Sequence, residues 1–147
     1  MAIHFYQQNK AYGCFSNFSK HPILLEGVLW PTSEHYFQAM KFPEEPERQE
    51  RIRQAPTPMA SKKIAWDPSS KIRPDWDQYR DEVMLRVLRE KFKQHPKIAA
   101  ILLSTGEEEL IEHTKNDSYW GDGGDGSGSN KLGLFLMQVR QELRATL

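Results

Sequence analysis

The sequence predicts a helix-rich α+β fold, one domain over residues 1–147 with a few short strands. Three observations predict it. Apolar residues recur at helical spacing through most of the chain, above all in Tyr79–Phe92 and Leu132–Leu143. Stretches rich in β-branched and aromatic residues are few and brief. Strand and helix patterns do not alternate, which argues against a doubly wound parallel sheet.

Taken in order, "IHFYQ" and "PILLEGVLW" read as short strands, the second as a hairpin turning at Gly27. Pro31-Thr32-Ser33 offers an N-cap for a short helix, "SEHYFQAMKF". "PEEPERQERIRQA" is acidic in its first turn and basic later, the polarity that a helix dipole favours, and Pro56 and Pro58 end it. "MASKKIAW" is another brief helix, closed by the turn Asp67-Pro68-Ser69. "RPDWDQYRDEVMLRVLREKFKQH" carries the longest helical pattern, with Tyr79, Val83, Met84, Val87, Leu88 and Phe92 on one stripe. Pro96 interrupts it, and "PKIAAILLSTG" is a packed helix ending at Gly106. "ELIEHT" reads as a short buried strand. Leu132, Phe135, Leu136, Val139 and Leu143 make the apolar face of a last helix.

Composition narrows the function classes. Lys+Arg and Asp+Glu balance at 20 each, so no global field attracts a long polyanion or a membrane surface. A small, locally recognised ligand is expected. Cys14 is the only cysteine, so no internal disulfide forms, and a reducing compartment fits. The longest apolar run, Ile98–Leu103, is too short to span a bilayer, and the N-terminus lacks a signal-peptide pattern. The expectation is a soluble, cytoplasmic domain. His35, His95 and His113 are not spaced as a ligand set, so neither metal nor cofactor is expected. Cys14 has no evident base beside it.

The stretch "NDSYWGDGGDGSGSNKLG", 116–133, holds six of the nine glycines. Gly121-x-Gly123-x-x-Gly126 matches the dinucleotide fingerprint in letters only. The motif needs a helix opening inside it, whereas more glycine and serine follow here, and Asp122 and Asp125 would repel a pyrophosphate. No Gly-Lys-Ser/Thr triplet makes a P-loop, and the aspartates lack EF-hand spacing. Two readings stand: a flexible surface loop, or a loop anchored at both ends that receives a phosphorylated sugar. Tyr119-Trp120 at its entrance favours the second. So does Ser129-Asn130, placed to cap the last helix and leave its backbone N–H groups facing an anion.

A second constellation lies in "TSEHYFQAMKF". At about 100° per residue, Glu34, Gln38 and Lys41 fall within an arc of roughly 60°, while Tyr36 and Met40 face the core side. This is either a solvated polar stripe or the working face of a ribosyl-cleaving site. In the second case a carboxylate stabilises an oxocarbenium-like centre or moves protons, and a lysine attacks C1′ or ferries a proton. Glu112, Asp117 and Asp122 are candidates for a second carboxylate.

These stretches, with Tyr12-Gly13 and Phe15-Ser16-Asn17-Phe18, resemble the YbiA-like family of N-glycosidases within the NADAR superfamily. The resemblance runs through Trp30–Gln38, Lys41-Phe42, Lys91-Phe92, Glu112, Asp117 and Tyr119-Trp120-Gly121 to Asn130 and Leu132-Gly133, almost the whole chain. Met40 departs from the polar residue expected in the family's helix, off the Glu34/Lys41 face. The resemblance implies hydrolysis of the bond between ribose 5-phosphate and an amino group of early riboflavin-pathway pyrimidines. Removal of ADP-ribose from guanine in nucleic acid is the alternative it implies, and a non-catalytic ADP-ribose-binding module is the main rival. The implied catalytic residues are Glu34, Lys41 and Asp117. The implied substrate-binding residues are Ser16, Asn17, Trp30, Gln38, Glu112, Trp120, Gly121 and Asn130. In both bonds C1′ carries an exocyclic amine, so capture of an imine by Lys41 and direct attack of water are both open routes.

Overall fold

The hairpin of the computed structural model, which describes residues 2–147, shows how locally the middle of the chain is determined. Strand β1 is Ala2–Phe5, and β2 (Ile23–Leu25) and β3 (Val28–Trp30) frame the hairpin, pairing antiparallel with Ile23 opposite Trp30 and Leu24 opposite Leu29. The two-residue turn uses left-handed Glu26 (φ 52°) and Gly27 (φ 79°), the twist-matched connection for a tight hairpin. Ile23 and Trp30 are buried, and Leu24 and Leu29 on the other face are exposed.

The chain divides into two units: a middle unit, Lys20–Lys91, and an end unit, Met1–Ser19 with Phe92–Leu147. In the middle unit the hairpin leads into α1 (Ser33–Ala39), where Thr32 is the N-cap and its hydroxyl accepts from His35 N–H. Helix α1 packs against α2 (Pro46–Arg53) and α3 (Pro58–Ala65). Both open with proline in the first turn, where its missing N–H costs nothing. Thr57 caps α3, and Asp67 closes the turn after it by accepting from Ser69 N–H and Oγ–H. Helix α4 (Trp76–Gln94) follows, and the division between the units falls inside it.

In the end unit β1 runs parallel to β4 (Glu109–Glu112), Ala2 opposite Glu109 and Phe5 opposite Glu112. Helix α5 (Pro96–Ser104) ends at Thr105 and left-handed Gly106. Helix α6 (Lys131–Ala145) packs on β4 and on α5. It does so closely: a Cβ at Gly133 would lie 2.0 Å from the Leu110 carbonyl oxygen, so only glycine fits there. Leu132, Leu136 and Val139 are buried as the stripe predicts, whereas Phe135 and Leu143 are half-buried. Arg140 is buried with them because its guanidinium donates to Thr105 Oγ1 and the Glu108 carbonyl, both at 2.8 Å. A 3-10 turn at Gly13–Phe15 places Phe15 against Phe5 and Phe92, with ring centroids 5.6 and 6.2 Å away. The expected helix-rich α+β class holds, with six α-helices and four short strands among the described residues.

Candidate functional site

Glu34, Gln38 and Lys41 are not a solvated stripe. They are 7, 2 and 9% exposed, and every residue of α1 is buried. Three polar side chains kept together out of water carry a large desolvation cost, so their arrangement decides what they do. Gln38 Nε2 donates to Glu34 Oε2 at 2.5 Å, one helical turn along, and fixes that carboxylate. Gln38 Oε1 is buried with no hydrogen-bond partner among the described residues. A buried amide oxygen in that state is a ready acceptor for a ligand's N–H or O–H.

Lys41 lies just past the end of α1, its position pinned by Arg73 N–H donating to the Lys41 carbonyl at 2.9 Å. Its ammonium sits 5.8 Å from the ring centroids of both Phe37 and Trp76, which meet at 60° with centroids 5.0 Å apart. Burial pushes the Lys41 pKa below its ordinary value; Glu34 opposes this and Lys62 of α3 adds to it. The balance between burial and Glu34, which the sequence leaves open, therefore falls on the side of an amine that loses its proton more readily. Trp76 is the contributor that sequence reading did not assign to this group. It stands at the start of α4, and no spacing rule connects it to α1.

His35, between these residues in sequence, has a structural task. Its Nε2 faces the Ala55 carbonyl at 3.0 Å, and a carbonyl only accepts, so Nε2 carries the proton. Nδ1 is then an acceptor, 2.8 Å from the Thr32 hydroxyl, which donates to it. Burial pushes the His35 pKa down, in keeping with the neutral ring. Trp30, expected to touch substrate, is buried edge-on to Tyr36 with centroids 5.5 Å apart.

The remaining candidates belong to the end unit. Ser16 and Asn17 are buried just after the 3-10 turn, Ser16 Oγ accepting from Phe18 N–H. The glycine-rich segment is an ordered scaffold and not a spacer. Asp117 Oδ1 accepts from Tyr119 and Trp120 N–H at 2.9 and 2.8 Å. Asp122 Oδ1 accepts from Thr114 and Gly124 N–H, and its Oδ2 lies 2.7 Å from His113 Nδ1. Asp125 Oδ1 takes Ser127 N–H and Oγ–H. Each aspartate thus ties a turn through its side chain. Gly121 is buried where a Cβ would lie 2.9 Å from the Asp117 and Glu112 carbonyl oxygens. Trp120 is half-buried, edge-on to Tyr119 and 6.2 Å from the Phe135 ring.

Two expectations about this segment are corrected. Asn130 occupies the N-cap position of α6 but makes no side-chain cap bond. Its amide turns to β4 instead, Oδ1 accepting from Glu112 N–H at 3.0 Å and Nδ2 donating to the Leu110 carbonyl at 2.9 Å. The backbone donors expected to face an anion are taken as well. Asn130, Lys131 and Leu132 N–H donate to the carbonyls of Gly121, Tyr119 and Trp120. The start of α6 is closed by its own loop.

The α1 group thus brings together Glu34, Gln38 and Lys41 with Phe37 and Trp76. The end unit gathers Glu112, Asp117, Gly121 and Asn130 around β4 and the start of α6. The NADAR domain family matches this chain over residues 4–144. The N-glycosidase YbiA of Escherichia coli (strain K12) is 48% identical over 141 residues, 96% of this chain and 88% of that protein. A protein of Vibrio vulnificus named a riboflavin biosynthesis protein is 42% identical over 97% of this chain, which spans 38% of it. The NMR structure of the E. coli protein YbiA superposes with a TM-score of 0.91 at 46% identity, covering 99% of this chain and 86% of that one.

Proposed function

The chain belongs to the NADAR domain family and is an N-glycosidase, a hydrolase of N-glycosyl bonds, and on that footing we propose that it cleaves ribose 5-phosphate from the exocyclic amine of an early riboflavin-pathway pyrimidine. The substrate is a small molecule. The place of the substrate in the riboflavin pathway rests on the likeness to the Vibrio vulnificus riboflavin biosynthesis protein, and the cytoplasm is the proposed location. Among the described residues no helix is long and apolar enough to cross a membrane.

The observation that carries the reading is the buried α1 group, a desolvated lysine beside a carboxylate that a glutamine holds in place. A ribosylamine opens when its nitrogen lone pair forms a C1′=N bond and the ring oxygen leaves, taking a proton. The Lys41 amine then adds to C1′, and Glu34 carries the proton from the lysine nitrogen to the substrate nitrogen. The C1′–N bond to the pyrimidine breaks, the free aminopyrimidine departs, and C1′ is left as an imine with Lys41. Water adds to that imine, releasing ribose 5-phosphate as its aldehyde and restoring the amine. Gln38 Oε1 accepts from the substrate, which holds C1′ in register with Lys41.

Borohydride added during turnover tests this directly. It reduces the imine to a stable secondary amine, so mass spectrometry is expected to find a ribose 5-phosphate adduct on Lys41. Absence of any adduct, together with substantial activity in Lys41→Arg, would assign the reaction to direct attack of water.

A further inference from the structure

The structure brings together three side chains that the α1 chemistry does not use. His4 on β1 and His113, just beyond β4, share a face of the parallel pair with Ile111, since His4 lies opposite Ile111 in the register and side chains alternate along a strand. Their rings meet edge to face with centroids 5.2 Å apart. Asp122 of the glycine-rich loop reaches the same place. One donor atom from each of the three residues lies within 4.8 Å of the other two. These atoms open on a cavity of about 480 Å³ whose walls include Ile111, Ser129 and Leu134.

We propose that His4, His113 and Asp122 form a binding site for a transition-metal dication of the Zn²⁺ class, with one coordination position facing that cavity. The donor set fits: two imidazoles and one carboxylate are what such ions take, and they leave a position for water or a ligand. The carboxylate is already anchored, because Oδ1 holds Thr114 and Gly124 N–H while Oδ2 faces His113. Both histidines are exposed, so an ion arrives from solvent and both rings are free to turn. Donors around a tetrahedral ion lie roughly 3.4 Å apart, and rotation of the two rings closes the remaining gap. The metal takes the place of the proton between His113 Nδ1 and Asp122 Oδ2, and the imidazole carries its proton on Nε2. Sequence spacing hides this set, because the third ligand comes from the opposite end of the chain.

The test is isothermal titration of untagged, metal-stripped protein with Zn²⁺, and with Co²⁺ followed by visible absorption. One equivalent is expected to bind, with the intense d–d bands of low-coordinate Co²⁺ and a rise in melting temperature. His4→Ala and His113→Ala, both at exposed positions, are expected to weaken binding by more than about tenfold. His95→Ala is expected to leave it unchanged. No saturable binding by the wild-type protein would overturn the proposal. So would equal affinity in both histidine variants, which would place the ion elsewhere.

Discussion

Glu34 and Lys41 are separated in role by what surrounds them. Lys41 is walled by Phe37 and Trp76, whose ring faces favour a cation weakly while excluding the water that would favour it strongly. Glu34 is held by Gln38, so its direction is set before substrate arrives. Glu34→Gln keeps an acceptor for Gln38 Nε2 and so preserves the helix, but an amide neither carries charge nor exchanges a proton. Its turnover is expected to fall by about 10²–10⁴-fold with the melting temperature nearly unchanged, and near-wild-type turnover would remove Glu34 from the chemistry. His35 yields a different forecast. Because its folded pKa lies below 6.5, the unfolded chain takes up a proton first as pH drops. The stability it contributes is complete above pH 6.5 and shrinks as pH falls through that value toward the folded pKa. Urea denaturation between pH 7.5 and 5 should show this loss, and His35→Gln should flatten it.

At the scale of elements, the most readable part of the chain was α1. Its Thr32 cap, its aromatic residues and its polar arc all lie within a few positions of one another, so local rules reach them. The hairpin was readable for the same reason, through Gly27. The β1–β4 pairing was not, because it joins segments from opposite ends of the chain and neither strand announces its partner. Asn130 shows the limit most clearly: its place at the start of α6 follows from sequence, but the target of its amide depends on β4 lying alongside. That amide replaces a missing strand neighbour for Leu110 and Glu112. Asn130→Ala is therefore expected to leave a β4 N–H and C=O unpaired and to cost about 1–3 kcal/mol of stability. An unchanged denaturation midpoint would mean that water or a shifted loop serves those groups equally well. In the fold, Asn130 is a brace that supports β4.

For the whole molecule, the formal charge of +0 removes long-range steering as a means of capturing an anionic sugar phosphate, so recognition must rest on local groups. The family match runs through both units of the chain, so the activity belongs to the intact chain and is best tested on it. The most direct measurement is to incubate the 147-residue chain with a phosphoribosylamino-pyrimidine intermediate, and separately with DNA bearing ADP-ribosyl-guanine, and to follow sugar release by mass spectrometry. The account predicts ribose 5-phosphate and free aminopyrimidine from the first substrate, lost in Lys41→Arg. Release of sugar only from the modified DNA, or release from the pyrimidine that Lys41→Arg leaves undiminished, would contradict it.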